Sequence, residues 1–248
     1  MLQQDRRNGL RQMARFLLLA SAGAFVISFI LKGKLPDKGA ILPSLSQDPI
    51  QTDTDLPGPF DVTRKGVTYL VEPVFNYELW GMVVSYHHAD SFMDLAHEMW
   101  NDHVNIKDVC VIWGKNVETG VYRRMKFRNR DFTCFYRYPD KEAGALFSAD
   151  CLSNNHLLGA DTVVSRKILK TRKGDQVHLR GWLVSYGQKD TSFRRGTSTV
   201  RTDYGDGACE TVFVNEFEVL EPANLEMRAL NKISIALMVL CAGVLFFL

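Results

Sequence analysis

The sequence lacks any excess of charge of one sign. Its 248 residues carry 30 Lys and Arg against 28 Asp and Glu, a net charge of +2. A field that weak does not draw in a polyanion over distance, which argues against nucleic acid as a partner. Metal-ligand spacing is also missing. His97-Glu98 opens a zinc-protease HExxH pattern, but Asn101 stands where the second histidine is needed, and one histidine cannot share the metal with itself. No metal or other cofactor is expected. Cysteines are few and never spaced as CxxC, and no glycine elbow surrounds a nucleophile. With no convergent catalytic set, the first expectation is a chain that is not an enzyme.

What is there begins at the two ends. Positions 16–31, FLLLASAGAFVISFIL, hold 16 residues without a charge, and so do positions 233–248, ISIALMVLCAGVLFFL. A helix of that length covers about 24 Å, slightly short of a bilayer core, and the stems of Arg15 and Lys32 extend the first run. A cleaved signal is the rival for the first run, through Ala20-Ser21-Ala22. Only four apolar residues would precede that cut, fewer than the roughly 7 a signal core needs. The organisation expected is a basic tail over 1–15, a transmembrane helix over 16–32 and a proline-rich spacer over 33–59. A β-rich domain over 60–223 follows, then a polar lead-in with a C-terminal transmembrane helix over 224–248.

Two spans put both termini on one side and the domain on the other. Arg6, Arg7, Arg11 and Arg15 precede the first span; Lys32, Lys34, Lys38, Arg228 and Lys232 lie on the domain side. The count is nearly even. The first span usually dominates, which favours an extracytoplasmic domain, periplasmic if the cell is bacterial. Cys110, Cys134, Cys151 and Cys209 in the domain permit three disulfide pairings there, or four buried thiols, and spacing does not choose.

The spacer holds five of the eight prolines and few large apolar residues, a composition that keeps a chain extended. Beyond it, apolar and β-branched runs alternate with turn signals at 67–71, 79–87, 109–113, 122–127, 132–138, 176–185 and 211–220. An amphipathic helix is expected over 91–104, on the stripe Phe92, Leu95, Ala96, Met99, Trp100 and His103, and a second over 161–170. The fold class expected is α+β and β-rich, with one or two helices. The run GDQVHLRGWLVSY, a turn followed by an alternating strand with an internal glycine, resembles strands of small OB-like or SH3-like barrels.

Two polar clusters carry chemical interest. Cys209 beside the Gly205-Asp206-Gly207 turn, with His156 and Asn154, would supply a nucleophile, a base and an orienting amide. The plainer expectation makes Asn154, Asn155 and His156 an Asx-type turn. Arg123 and Arg124 open one basic cluster, and Arg194, Arg195 and Arg201 form another; anionic lipid headgroups or an acidic protein are the binding partners such groups suit. The leading functional expectation is a membrane-anchored binding or scaffolding protein of the cell envelope, or a subunit of a membrane complex. The alternative is a membrane-anchored hydrolase using Cys209 and His156.

Overall fold

The computed structural model describes residues 2–89, 99–130, 132–203 and 208–247. It divides into two compact units, residues 1–34 with 223–248, and residues 35–222.

The first unit is a helical hairpin. Helix α1 spans Leu2–Leu31, so the basic tail continues the apolar helix instead of preceding it. The polar lead-in likewise belongs to the C-terminal helix, Leu225–Phe247. Both are long and apolar enough to cross a bilayer. Their shared seam is polar: Lys32 Nζ donates to Asn231 Oδ1 at 2.7 Å, and Asn231 Nδ2 donates to Ser28 Oγ at 3.2 Å. Hydrogen bonds of this kind hold helices together where lipid offers no hydrophobic contrast.

The second unit is mixed α and β. Ten strands are described: β1 (Ile50–Thr52), β2 (Phe60–Arg64), β3 (Val67–His87), β4 (Asn105–Ile112), β5 (Lys126–Arg130), β6 (Thr133–Arg137), β7 (Leu152–Leu158), β8 (Gln176–Gln188), β9 (Arg194–Arg195) and β10 (Glu210–Glu221). Short helices α2 (Lys115–Thr119), α3 (Lys141–Leu146) and α4 (Thr162–Lys170) connect them, which makes the C-terminal helix α5. The two runs expected at 67–71 and 79–87 are one 21-residue strand. Its pairing with β8 runs from Tyr69↔Gln188 to Met82↔Gln176 and breaks register only at Pro73, which has no N–H to give.

Strands β3, β4, β7, β10 and β8 pair in that order, and β8 pairs back with β3. All contacts along this path are antiparallel except β7 with β10, which is parallel. Alternate residues of all five strands meet in one core cluster, for example Tyr77, Val109, Leu157, Leu179 and Val212. Gly181 is needed where β8 passes β10: a Cβ there would lie 2.1 Å from Phe213 O. Helix α4 begins where expected, because Asp161 Oδ1 accepts from the Val163 and Val164 amides at 2.7 and 2.8 Å.

Three expectations change. The proline-rich segment is not a free spacer from Leu35 on: Leu45 is fully buried beside Met82 and Ile112, and its carbonyl accepts from Gly114 N at 2.7 Å. The helix expected over 91–104 lies mostly outside the described residues, and from Trp100 the chain is turn, with Asn101 at φ 50°. The expected Asx turn at 154–156 is the middle of strand β7, since pairing on both edges satisfies backbone groups that a turn would leave to side chains.

Lys107 sits fully buried against α4, its ammonium donating to Ile168 O at 3.1 Å and Thr171 O at 2.6 Å. Burial, with the like charge of Arg172 and against Asp175, pulls its pKa down to about 7. A depressed folded pKa gives stability that is present above the unfolded value and is lost as pH falls through the folded one. Lys107→Met is therefore expected to gain on the wild type by roughly 1–4 kcal/mol between pH 10 and pH 6. Urea unfolding of both proteins at the two pH values checks this, and a pH-independent difference would contradict it.

Candidate functional site

Strand register builds the site. Asp108 of β4 lies directly opposite His156 of β7, and Cys110 opposite Asn154. In the parallel pair, Asn155 and His156 lie opposite Glu210 and Thr211 of β10. Period-two alternation then puts Asp108, Cys110, Asn154, His156, Cys209 and Thr211 on one face, away from the core that takes Val109, Leu157 and Val212.

On that face His156 Nδ1 and Asp108 Oδ1 are 2.6 Å apart, with both side chains buried. Asp108 Oδ1 also accepts from Asn105 Nδ2 at 2.9 Å. Cys209 lies beside the His156 ring on this face, and both line one cavity. Burial opposes charge on the imidazole, yet the adjacent Asp108 carboxylate and its hydrogen bond, with Cys209 alongside, outweigh it, and the His156 pKa rises to about 9. An imidazolium beside a thiol is the usual means of presenting a thiolate at neutral pH.

The hairpin β5–β6 covers part of this face. A disulfide from Cys110 to Cys134 fastens it to β4, which leaves Cys151 and Cys209 as thiols. Asn129 Nδ2 donates to Asn154 Oδ1 at 2.8 Å. That bond fixes the amide of Asn154, whose Nδ2 then donates to Phe132 O at 3.0 Å and to Cys209 Sγ at 3.4 Å. The Phe132 ring stacks on Trp100 with centroids 5.2 Å apart and meets the His156 ring edge-on at 6.2 Å.

A cavity of about 770 Å³ opens here, with Cys209, His156, Asn154, Phe132, Trp100 and Arg195 in its lining. Arg194 and Arg201 line it too. The sequence-derived set thus divides. Cys209, His156, Asn154, Arg194, Arg195 and Arg201 come together. Arg123 and Arg124 instead form exposed ion pairs away from this lining, with Asp37 at 2.6 Å and with Asp140 and Glu142 at 2.8 and 3.0 Å.

Three contributors escaped sequence reasoning: Asp108, Phe132 and Trp100. Asp108 carried a signal, since a carboxylate inside the run Asn105–Ile112 breaks its apolar alternation and needs a buried partner. Among the described residues no group of three or more His, Cys, Asp or Glu side chains has the arrangement of a metal site. Comparison with protein-family models, with curated proteins and with solved structures finds no match to the chain.

Proposed function

We propose that the chain is a membrane-anchored hydrolase that uses Cys209 as nucleophile on an acyl substrate. The observation that carries this reading is the line Cys209, His156, Asp108 beside an open cavity. His156 takes the thiol proton, and Cys209 Sγ forms a bond to the acyl carbon. The bond from that carbon to the leaving group breaks, and the leaving group takes the proton from His156. Water then gives a proton to His156 as its hydroxyl attacks the thioester, and the acid departs from the regenerated thiol. Asp108 is a positioning residue that holds the imidazole by Nδ1, and Asn154 Nδ2 donates to the sulfur at 3.4 Å.

The domain that carries this centre is an OB-like barrel. Its support is the five-strand path that returns on itself, the single parallel contact between the third and fifth of those strands, and the helix α4 between the third and fourth. The β4–β7 face holding the site corresponds to the second and third strands, the face on which such barrels take ligands. The two terminal helices span the bilayer and the domain lies outside the cytoplasm. The Cys110–Cys134 disulfide supports that side, since structural disulfides persist in oxidising compartments.

Replacing Cys209 with serine and His156 with alanine separately tests the enzyme reading: loss of the cellular function with folding and localisation intact is expected. Full function in both would return the chain to a binding or scaffolding role. For sidedness, a membrane-impermeant maleimide added to intact cells is expected to label Cys209, and labelling only after permeabilisation would place the domain in the cytoplasm.

A further inference from the structure

Among the described residues, three arginines line the cavity that holds Cys209, against one acidic side chain, Asp203. Two of the three are engaged. Arg201 pairs with buried Glu210. Arg194 Nη1 donates to the carbonyls of Gln188 and Phe193 at 2.7 and 2.8 Å. Arg195 differs. Its Nη1 forms an ion pair with buried Asp102 at 3.6 Å, longer than a hydrogen bond, and the same Asp102 oxygen accepts from Tyr186 Oη at 2.7 Å. Nη1 is buried and has no hydrogen-bond partner among the described residues.

A guanidinium donor taken out of water and left unbonded carries its desolvation cost without return, and its planar fork matches the paired oxygens of carboxylate and phosphate. Its position is suggestive. The Arg195 guanidinium carbon lies 4.2 Å from the centroid of Phe132. The same ring lies 6.2 Å from that of His156, and the Phe132 carbonyl is 3.5 Å from Cys209 Sγ. Arg195 and Cys209 thus both contact Phe132, one through the ring and the other through the carbonyl, in the lining of one cavity.

We propose that the substrate acylating Cys209 carries a carboxylate or phosphate group, and that Arg195 binds its anionic oxygens inside this cavity. The proposal rests on the Cys209 hydrolase reading. It gives the second basic cluster of the sequence a function and sets the substrate class: a small acyl compound with an anionic group near the scissile bond. Neutral esters of the same size bind less well.

Two thiol reagents that differ in one charge test this without knowledge of the substrate. In both, the thiolate attacks the methylene carbon and iodide leaves with the bonding pair. Iodoacetate carries a carboxylate and iodoacetamide a neutral amide. The ratio of their alkylation rates at Cys209, read by peptide mass mapping so that Cys151 and Cys241 do not interfere, is expected to be about tenfold higher than the ratio for N-acetylcysteine. Arg195→Gln should return it to the free-thiol value, and Arg195→Lys should leave it between the two. Acetate and inorganic phosphate, added as competitors of iodoacetate, separate the two anion classes: the stronger protector identifies the group bound.

A wild-type ratio equal to that of N-acetylcysteine, or protection by neither anion, overturns the proposal, and the wild-type measurements decide it alone if Arg195→Gln does not fold. Failure of the hydrolase reading is separately visible, as an iodoacetamide rate at Cys209 that does not respond to His156→Ala. An intact His156 effect with an ordinary charge ratio sinks only the anion site.

Discussion

Replacing His156 with alanine is expected to slow alkylation of Cys209 by iodoacetamide at pH 7 about tenfold, and turnover of an acyl substrate by about 10²–10⁴. The variant removes the positive charge that His156 keeps beside Cys209 up to about pH 9, and with it the group that takes and returns the thiol proton. Asp108→Asn is the sharper variant, because it keeps the shape and removes the charge. Burial and Arg195 both oppose charge on His156, so without the carboxylate the imidazole loses its proton at lower pH. The pH dependence that the charge of His156 imposes on Cys209 alkylation should then move to lower pH. A pH profile identical in wild type and Asp108→Asn would remove Asp108 from the site.

The second large effect concerns Arg201. Glu210 points into the core of the domain from the residue after Cys209, 2% exposed, and pairs with Arg201, whose guanidinium also lies over the rings of Tyr77 and Trp113 at 5.4 and 5.9 Å. Burial pushes the Glu210 pKa up to about 7, against the pull of Arg201 and with a further push from Asp203. An acid whose folded pKa is raised contributes stability that is complete below its unfolded value and is lost as pH rises through the folded one. Arg201→Ala should therefore cost about 3–5 kcal/mol at pH 8, where an ionised carboxylate is left alone in the core. At pH 5 the carboxyl is already neutral and the cost should fall well below that. Denaturant unfolding in detergent at both pH values measures it, and an equal loss at pH 5 and pH 8 would show that Arg201 acts by packing alone. The same pair anchors the start of β10, so a loosened Glu210 is also expected to displace Cys209 and lower its reactivity.

Much of the architecture was legible in the residues. The uncharged 16-residue runs at both ends read as helices of near-spanning length, the first with a cleaved signal as rival, and the alternation of Val177, Leu179, Gly181 and Leu183 required a strand with its apolar side inward. The helix expected over 161–170 forms, and Asp161 at its start caps free amides. The proline-rich segment misled, since composition reports stiffness and not what Leu45 finds to pack against. The Asn-Asn-His run misled for a related reason: local side-chain bonding favours a turn, but two neighbouring strands supply stronger and more numerous partners.

The chemistry was legible only as an inventory. Sequence supplied Cys209, His156 and Asn154 as residue types worth watching, and the folded chain brought them within one cavity. It did not supply Asp108, nor the choice of Cys134 as the partner of Cys110. Alternation fixes which face a side chain takes along its own strand. Which strand lies next to it, and in what register, is set by contacts between residues 48 to 100 positions apart, as in Asp108 with His156 and Glu78 with His178. Sequence by itself thus determined two apolar ends around a β-rich centre. Only the tertiary structure decided that β4, β7 and β10 align an aspartate, a histidine and a cysteine on one face, because no local preference encodes register between distant strands.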